Sequence, residues 1–227
     1  MRVISPELFT KRSLTYQLHN ALQYEERGGA GVIQQYATTD SVKQLHACAL
    51  LDLSELSRTG LRGKNTETVL TQGNLPFPVR PNQINMLANG AVVARLGSTE
   101  CWILDNPLLT TTCIDQLDAR VTSAADCYPV YCQHTHAWFA LSGQYMPVLM
   151  AKVCGVDLRQ DVFPIGSVVQ TSLARVSAVI IHHRIGQTPV FSILSDSSLA
   201  EYLWYALLDA MQEFQGKAVG LGVFSNR

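Results

Sequence analysis

"TGLRGKNTETVL" (residues 59–70) and "FALSGQYMPVLM" (residues 139–150) read as one device used twice. Each is a short apolar strand that meets a glycine and continues as a helix. Leu61 matches Leu141 and Gly63 matches Gly143, and a one-residue slip then sets Val69-Leu70 against Val148-Leu149. A hairpin follows each unit. "GAVVARLGSTECWILD" (residues 90–105) folds around residues 96–99, and "VVQTSLARVSAVIIHHRIGQTPVFSILS" (residues 168–195) turns at Gly186-Gln187. Strand, helix and hairpin occurring twice predict an α+β protein with mostly antiparallel sheets, built from two related halves around a shared core.

Outward from these units, the pattern supplies the remaining elements. "LDLSELSRTGLRG" (residues 51–63) and "YCQHTHAWFALSG" (residues 131–143) alternate as strands leading into the two glycines. Gly73 closes the first helix ahead of a proline-rich turn over residues 74–83, while Pro147 and Gly155 bracket the second. The helix over residues 197–216 carries a Ser198/Glu201 capping box and a buried stripe of Leu199, Leu203, Leu207, Ala210 and Phe214, and Gly216 ends it. At the start, Leu14, Leu18 and Leu22 predict a helix over residues 12–27, broken by Gly28-Gly29 and followed by a mobile connector to Asp40, which caps a short helix over residues 41–50. The predicted organisation is residues 1–40 as N-terminal helix and connector, 41–118 as the first α+β half, and 119–227 as the second with the C-terminal helix.

Composition narrows the function. Apolar residues make up 47% of the 227 and charged residues 15%, with a net charge of −1. This is enough apolar material for a large core, and it gives no electrostatic handle for nucleic acid. The longest apolar run, residues 176–181, is far too short to cross a bilayer, and the first residues lack the apolar core of a secretory signal. A cytoplasmic protein away from membranes is expected. The six cysteines, Cys48, Cys101, Cys113, Cys127, Cys132 and Cys154, then read as mostly free buried thiols.

Three constellations deserve a chemical test. Cys127, Cys132, His134 and His136 bring soft and imidazole ligands within ten residues, with the two histidines on one face of a strand. Their spacing is not a usual zinc pattern, and strand packing is the expected role, so no metal is assigned. Cys154, two residues after Lys152, falls at a helix end where the dipole opposes a thiolate, so it reads as packing. His182 and His183 are adjacent on a strand, point to opposite faces and do not serve one site.

Two longer stretches carry a resemblance. "KVCGVDLRQDVFPIGSVVQTSLARVSAVI" (residues 152–180) and "LAEYLWYALLDAMQEF" (residues 199–214) resemble the gamma subunit family of heterotetrameric sarcosine oxidase. Lys152, Cys154, Asp157, Leu158, Phe163, Pro164, Gly166, Gln170, Thr171, Leu173 and Ala174 match its motifs, as do Tyr202, Leu203, Trp204, Leu207, Asp209 and Ala210. Val153 and Gly155 depart from them. The wider superfamily resembled is that of the glycine-cleavage T protein, an aminomethyltransferase, in which Asp52 and Ser54 here occupy positions of a structural strand.

The resemblance implies a T-protein-like folate-binding fold and a non-catalytic gamma-type subunit. Its partners would be alpha and beta subunits that carry flavin and NAD and oxidise sarcosine or a related N-methyl amine. Tetrahydrofolate would accept the one-carbon unit on alpha, and this chain would bind no cofactor itself. The alternative it implies is a stand-alone folate-binding protein or weak aminomethyltransferase holding tetrahydrofolate. The superfamily places an aspartate after its glycine pair to handle the folate amine, whereas Asn89 and Gly90 here are followed by residues 91–95, "AVVAR", with no carboxylate. A remnant cleft is expected between the halves near Asn89, Gly90 and residues 53–61, with Arg62, Arg58 and Lys64 as candidates for a polyglutamate tail.

Overall fold

The computed structural model describes residues 5–36, 42–109, 113–121 and 124–224. Asp40 and its predicted cap lie outside the described residues.

An N-terminal hairpin pairs β1 (Ala21–Arg27) with β2 (Ala30–Tyr36), and α1 (Val42–Ala47) leads into β3 (Ala49–Asp52). The first half continues with β4 (Arg58–Arg62), α2 (Thr66–Gln72), β5 (Gln83–Met86), β6 (Val92–Arg95), β7 (Glu100–Leu104) and α3 (Cys113–Val121). The second half has β8 (Tyr128–Val130), α4 (Cys132–Thr135), β9 (His136–Ser142), α5 (Met146–Val153), β10 (Val168–Leu173), β11 (Val176–Ile185) and β12 (Thr188–Asp196). The chain then forms α6 (Ala200–Met211) and the short β13 (Lys217–Ala218).

The repeat is real, and it is interlocked. One sheet runs β5-β6-β7-β4-β8 and the other β10-β11-β12-β9-β3-β13. The first four strands of the two orders correspond one to one. The fifth strands are exchanged: β3, which precedes β4, pairs with β9, while β8, which precedes β9, pairs with β4. The two predicted halves therefore each donate a strand to the other's sheet.

Gly63 and Gly143 are the joints of this exchange. Gly63 has φ +145° and Gly143 φ +115°, a region that favours glycine. A Cβ at Gly63 would run into the Asp126 carbonyl, and one at Gly143 into the Ala47 carbonyl, in each case just before the exchanged strand begins. The backbone agrees: Asn65 N–H donates to Asp126 at 3.2 Å and Tyr145 N–H to Ala47 at 3.4 Å. Val69 N–H reaches the Asn65 carbonyl at 3.0 Å, and Leu149 N–H the Tyr145 carbonyl at 2.9 Å. Val69-Leu70 thus corresponds to Leu149-Met150, all four buried, and the predicted slip disappears; Val148 is exposed.

The sheets pack face to face, with helices outside. Between them lie Leu51, Trp138, Ile181, Val190 and Leu194 from one sheet and Val92, Ala94, Trp102 and Leu104 from the other. The outer face of the six-stranded sheet buries Leu50, Phe139, Ile180 and Ile193 under α5 and α6. The outer face of the five-stranded sheet buries Leu61, Val93 and Ile103 under α2 and α3. Two apolar faces per strand explain why the central strands read as unbroken apolar runs.

Several local expectations are corrected. The N-terminal helix is a hairpin after a short 3-10 turn over Tyr16–Leu18. Gly28 and Gly29 (φ +58° and +82°) form the two-residue turn that matches strand twist, so the predicted connector is β2. Leu14 and Leu22 stay exposed, and the hairpin instead buries Tyr24, Ile33 and Tyr36 with Phe9. Residues 51–63 are two strands in different sheets, because the exchange forces the chain to cross between them. The long second hairpin is a three-stranded meander whose extra turn is Ala174-Arg175, both in the left-handed region. Ahead of the C-terminal helix, Asp196 caps a 3-10 turn over Ser197–Leu199 by accepting from Ser198 N–H, and α6 itself begins after Leu199 with no side-chain cap, so the Ser198/Glu201 box does not form. The buried stripe there is Ala200, Leu203, Trp204, Leu207, Ala210 and Met211; Leu199 is exposed, and Phe214 packs only at the margin.

Candidate functional site

Asp52, at the end of β3, is the anchor of a buried polar network. Its Oδ2 accepts from Ser13 Oγ, from Thr15 Oγ1 at 2.7 Å and from His19 Nε2 at 2.9 Å, and its Oδ1 accepts from Ser54 N–H at 2.9 Å. His19 Nδ1 pairs with the Tyr36 hydroxyl at 2.8 Å, and the imidazole edge meets Trp204 at 4.7 Å. Both side chains of the His19–Asp52 pair are 1% exposed. Burial works to raise the Asp52 carboxyl, but the His19, Ser13 and Ser54 donors outweigh it and hold it well below the usual carboxylate range. The bond from Ser54 N–H to Asp52 Oδ1 is a local turn contact at the end of β3. Ser13, Thr15, His19 and Tyr36 were not legible as site residues, because the segment carrying them reads as helix and connector.

Beside this network a cleft of about 660 Å³ opens between the N-terminal hairpin, the β3–β4 crossover, α3 and the β8–α4 junction. Lys11, Arg12, Arg27 and Arg58 face it together with Glu55, Asp105 and Asp115, so the wall carries both signs. Arg58 is 3% exposed and fully committed. Its five N–H groups go to the carbonyls of Cys132, Ser54, Leu56, Gln133 and His136. Burial lowers its pKa to about 10. The guanidinium clamps the crossover to α4 and has no donor left for a ligand.

The register separates the residues proposed for a remnant folate cleft. β4 pairs with β7 so that Arg58 faces Leu104 and Arg62 faces Glu100, and β6 pairs so that Val92 faces Leu104. Asn89 and Gly90, just before Val92, therefore sit at the Arg58 end of the sheet, and Arg62 and Lys64 at the opposite end. Arg62 is exposed and bound to Glu100, with Nε at 2.8 Å. Asn89 Oδ1 accepts from Ala91 N–H at 3.0 Å and its carbonyl from Asn106 Nδ2 at 2.6 Å. Gly90 (φ +84°) lies flat against the Asn106 side chain. Ala94 is fully buried, and Arg95 donates to the carbonyls of Gly97, Pro78, Val79 and Ser98 while lying over Phe77. At this turn both Asn89 oxygens already accept hydrogen bonds, and residues 91–95 supply no carboxylate to handle a folate amine.

The sulfur and imidazole constellation is also dispersed. His134 lies on α4 and His136 opens β9, so the two do not share a strand face. Cys127 and Cys132 are buried, His134 is exposed, and His136 packs on Trp102 at 4.7 Å. Among the described residues no three metal-ligating side chains converge. Cys154 is buried at the end of α5.

His182 and His183 do point to opposite faces of their sheet. His183 fills the space between the sheets. Its Nδ1–H donates to the Arg184 carbonyl at 3.1 Å, and its Nε2 accepts from Ser192 Oγ at 2.7 Å, which in turn accepts from Trp138 Nε1 at 2.8 Å. Burial pushes this imidazole down to about 4, keeping it neutral.

Interlocked halves, two packed sheets and outer helices define the class: a T-protein-like α+β fold. The structure of the glycine cleavage system aminomethyltransferase T from Bartonella henselae superposes with a TM-score of 0.71 at 16% identity, over 94% of this chain and 60% of that one. A chain of the heterotetrameric sarcosine oxidase from Corynebacterium sp. U-96, solved with pyrrole 2-carboxylate, matches with a TM-score of 0.62 at 22% identity, over 76% of this chain and 87% of that one. No curated protein sequence matches significantly. Residues 74–213 match the model of the sarcosine oxidase, gamma subunit family, and the chain belongs to that family. No helix among the described residues is long and apolar enough to cross a membrane.

Proposed function

We propose that the chain is the non-catalytic gamma-type subunit of a cytoplasmic assembly that oxidises sarcosine or a related N-methyl amine. Flavin and NAD belong to alpha- and beta-type partners in this reading, and tetrahydrofolate takes up the one-carbon unit on the alpha-type partner. Family membership over residues 74–213 carries the proposal. The residue chemistry supports it: residues 91–95, after Gly90, carry no carboxylate of the kind an aminomethyltransferase uses, and of these Ala94 is buried in the core and Arg95 is locked on four carbonyls. A stand-alone folate protein would need free acceptors at this turn, and both Asn89 oxygens already accept hydrogen bonds, from Ala91 N–H and Asn106 Nδ2. The role left is structural: to complete and stabilise a larger enzyme.

Co-expression with alpha- and beta-type subunits tests this. The full set is expected to yield one flavin-containing, sarcosine-oxidising particle, and omitting this chain is expected to lower its yield or activity. A particle of unchanged composition and activity without the chain would refute the role.

A further inference from the structure

The proline-rich turn between α2 and β5 carries Val79, at 86% exposure the most exposed large apolar side chain among the described residues. Loops at a protein surface are usually mobile. This one is braced. Pro76, Pro78 and Pro81 fix the backbone φ at their positions. Arg95 on β6 donates from Nη1 to the Pro78 carbonyl at 3.0 Å and the Val79 carbonyl at 2.9 Å, and its guanidinium lies 4.3 Å from the centre of the Phe77 ring. The same side chain is tied to the β6–β7 turn through the Gly97 and Ser98 carbonyls. At the two feet of the loop, the Pro76 carbonyl accepts from Asn85 Nδ2 at 3.0 Å and Asn82 N–H donates to the Arg95 carbonyl at 2.7 Å. Asn82, in the left-handed region (φ +61°), turns the chain into β5, and its carbonyl accepts from Val168 N–H of the other sheet at 2.9 Å. Arg80, next to Val79, is exposed and makes no hydrogen bond or ion pair among the described residues.

We propose that residues 78–81 are a docking knob for a partner subunit, whose surface supplies an apolar socket for Val79 with an Asp or Glu carboxylate at its edge for Arg80. The inference rests on the subunit role proposed above and names the surface that serves it. Three properties of the loop select this partner. The knob is convex, so it fits a hollow in another protein rather than a small molecule, which needs a concave site. Val79 gains by leaving water, and Arg80 brings an unpaired cation that a planar carboxylate matches with two hydrogen bonds. The bracing means that the loop is ordered before it docks, so little conformational entropy is lost on binding. Arg95 acts only as the brace and does not itself touch the partner, since its donors are held on the carbonyls of this chain.

The test is competition for one set of partners. The parent chain and a differently tagged variant are co-expressed with the alpha- and beta-type subunits, and their ratio in the flavin-containing particle is read by mass spectrometry. Val79→Asp and Arg80→Glu are each expected to be under-represented about tenfold. Lys217→Glu, the same charge reversal as Arg80→Glu at an exposed position on β13, is expected to compete evenly. Both loop positions are exposed, so the isolated variants are expected to melt with the parent chain, which separates a docking loss from a folding loss. Incorporation of either loop variant at the parent level overturns the proposal, and the parent chain in the same particle then leaves the subunit role standing. A parent chain that enters no particle overturns both.

Discussion

Replacing His19 by alanine tests whether the N-terminal segment is welded to the core through one buried carboxylate. The Asp52 and His19 side chains are both 1% exposed, and His19 supplies one of the four donors that hold the Asp52 carboxylate. His19→Ala leaves the charge buried with Ser13, Thr15 and the Ser54 N–H, removes the His19 bond to the Tyr36 hydroxyl and opens a gap at Trp204. Taking one hydrogen-bond donor from a buried carboxylate costs about 1.5–3 kcal/mol. For a chain of this size that lowers Tm by roughly 3–12 °C. The assay is thermal unfolding at neutral pH followed by circular dichroism, with limited proteolysis reporting release of the first residues. Asp52 also sets an acid limit. Its folded pKa is depressed, so its contribution is present above the unfolded carboxylate pKa and is lost as pH falls through the folded one. A His19→Ala chain that melts within 2 °C or so of the parent, with unchanged proteolysis, would refute the weld, since even a single buried charge-assisted hydrogen bond is worth more than about 1 kcal/mol.

Gly63→Ala and Gly143→Ala place a Cβ against the Asp126 and Ala47 carbonyls at positive φ, and each is expected to destabilise by about 2–4 kcal/mol in denaturant unfolding. Residues 41–118 or 119–227 expressed alone are expected to remain unfolded by circular dichroism, because each lacks the strand exchanged into its sheet, and to fold when produced together. His183 is buried neutral with its pKa lowered to about 4, so protonation favours the unfolded chain and stability should fall as pH drops from about 6.5 to about 4, by at most roughly 3 kcal/mol. His183→Gln should flatten that part of the denaturation-versus-pH curve.

The repeat was legible because its signals are local. A glycine that must take positive φ, followed by an apolar pair at helical spacing, recurs at Gly63 and Gly143 whatever surrounds it. The strand exchange was not legible, since nothing in residues 49–62 marks which sheet each strand joins; that choice is made by packing against β9 and β8. The hairpin at Ala174-Arg175 escaped for a chemical reason: neither residue is the glycine or asparagine that usually announces such a turn. The N-terminal segment misled because Leu14, Leu18 and Leu22 imitate a helical stripe, while its important residues are the polar Ser13, Thr15 and His19. Those become meaningful only beside Asp52, more than thirty positions away in the chain. The spacing of the folate candidates was not legible either, since register decides it: Arg62 on β4 and the Asn89 turn before β6 lie at opposite ends of one sheet.

Affinity purification of the tagged chain from its native cell, with the spectrum and composition of what elutes, tests the subunit role most directly. The account predicts a stoichiometric complex with flavin absorbance and sarcosine-oxidising activity. A colourless chain eluting alone, at its own 25.0 kDa or as a multiple of it, would contradict that role.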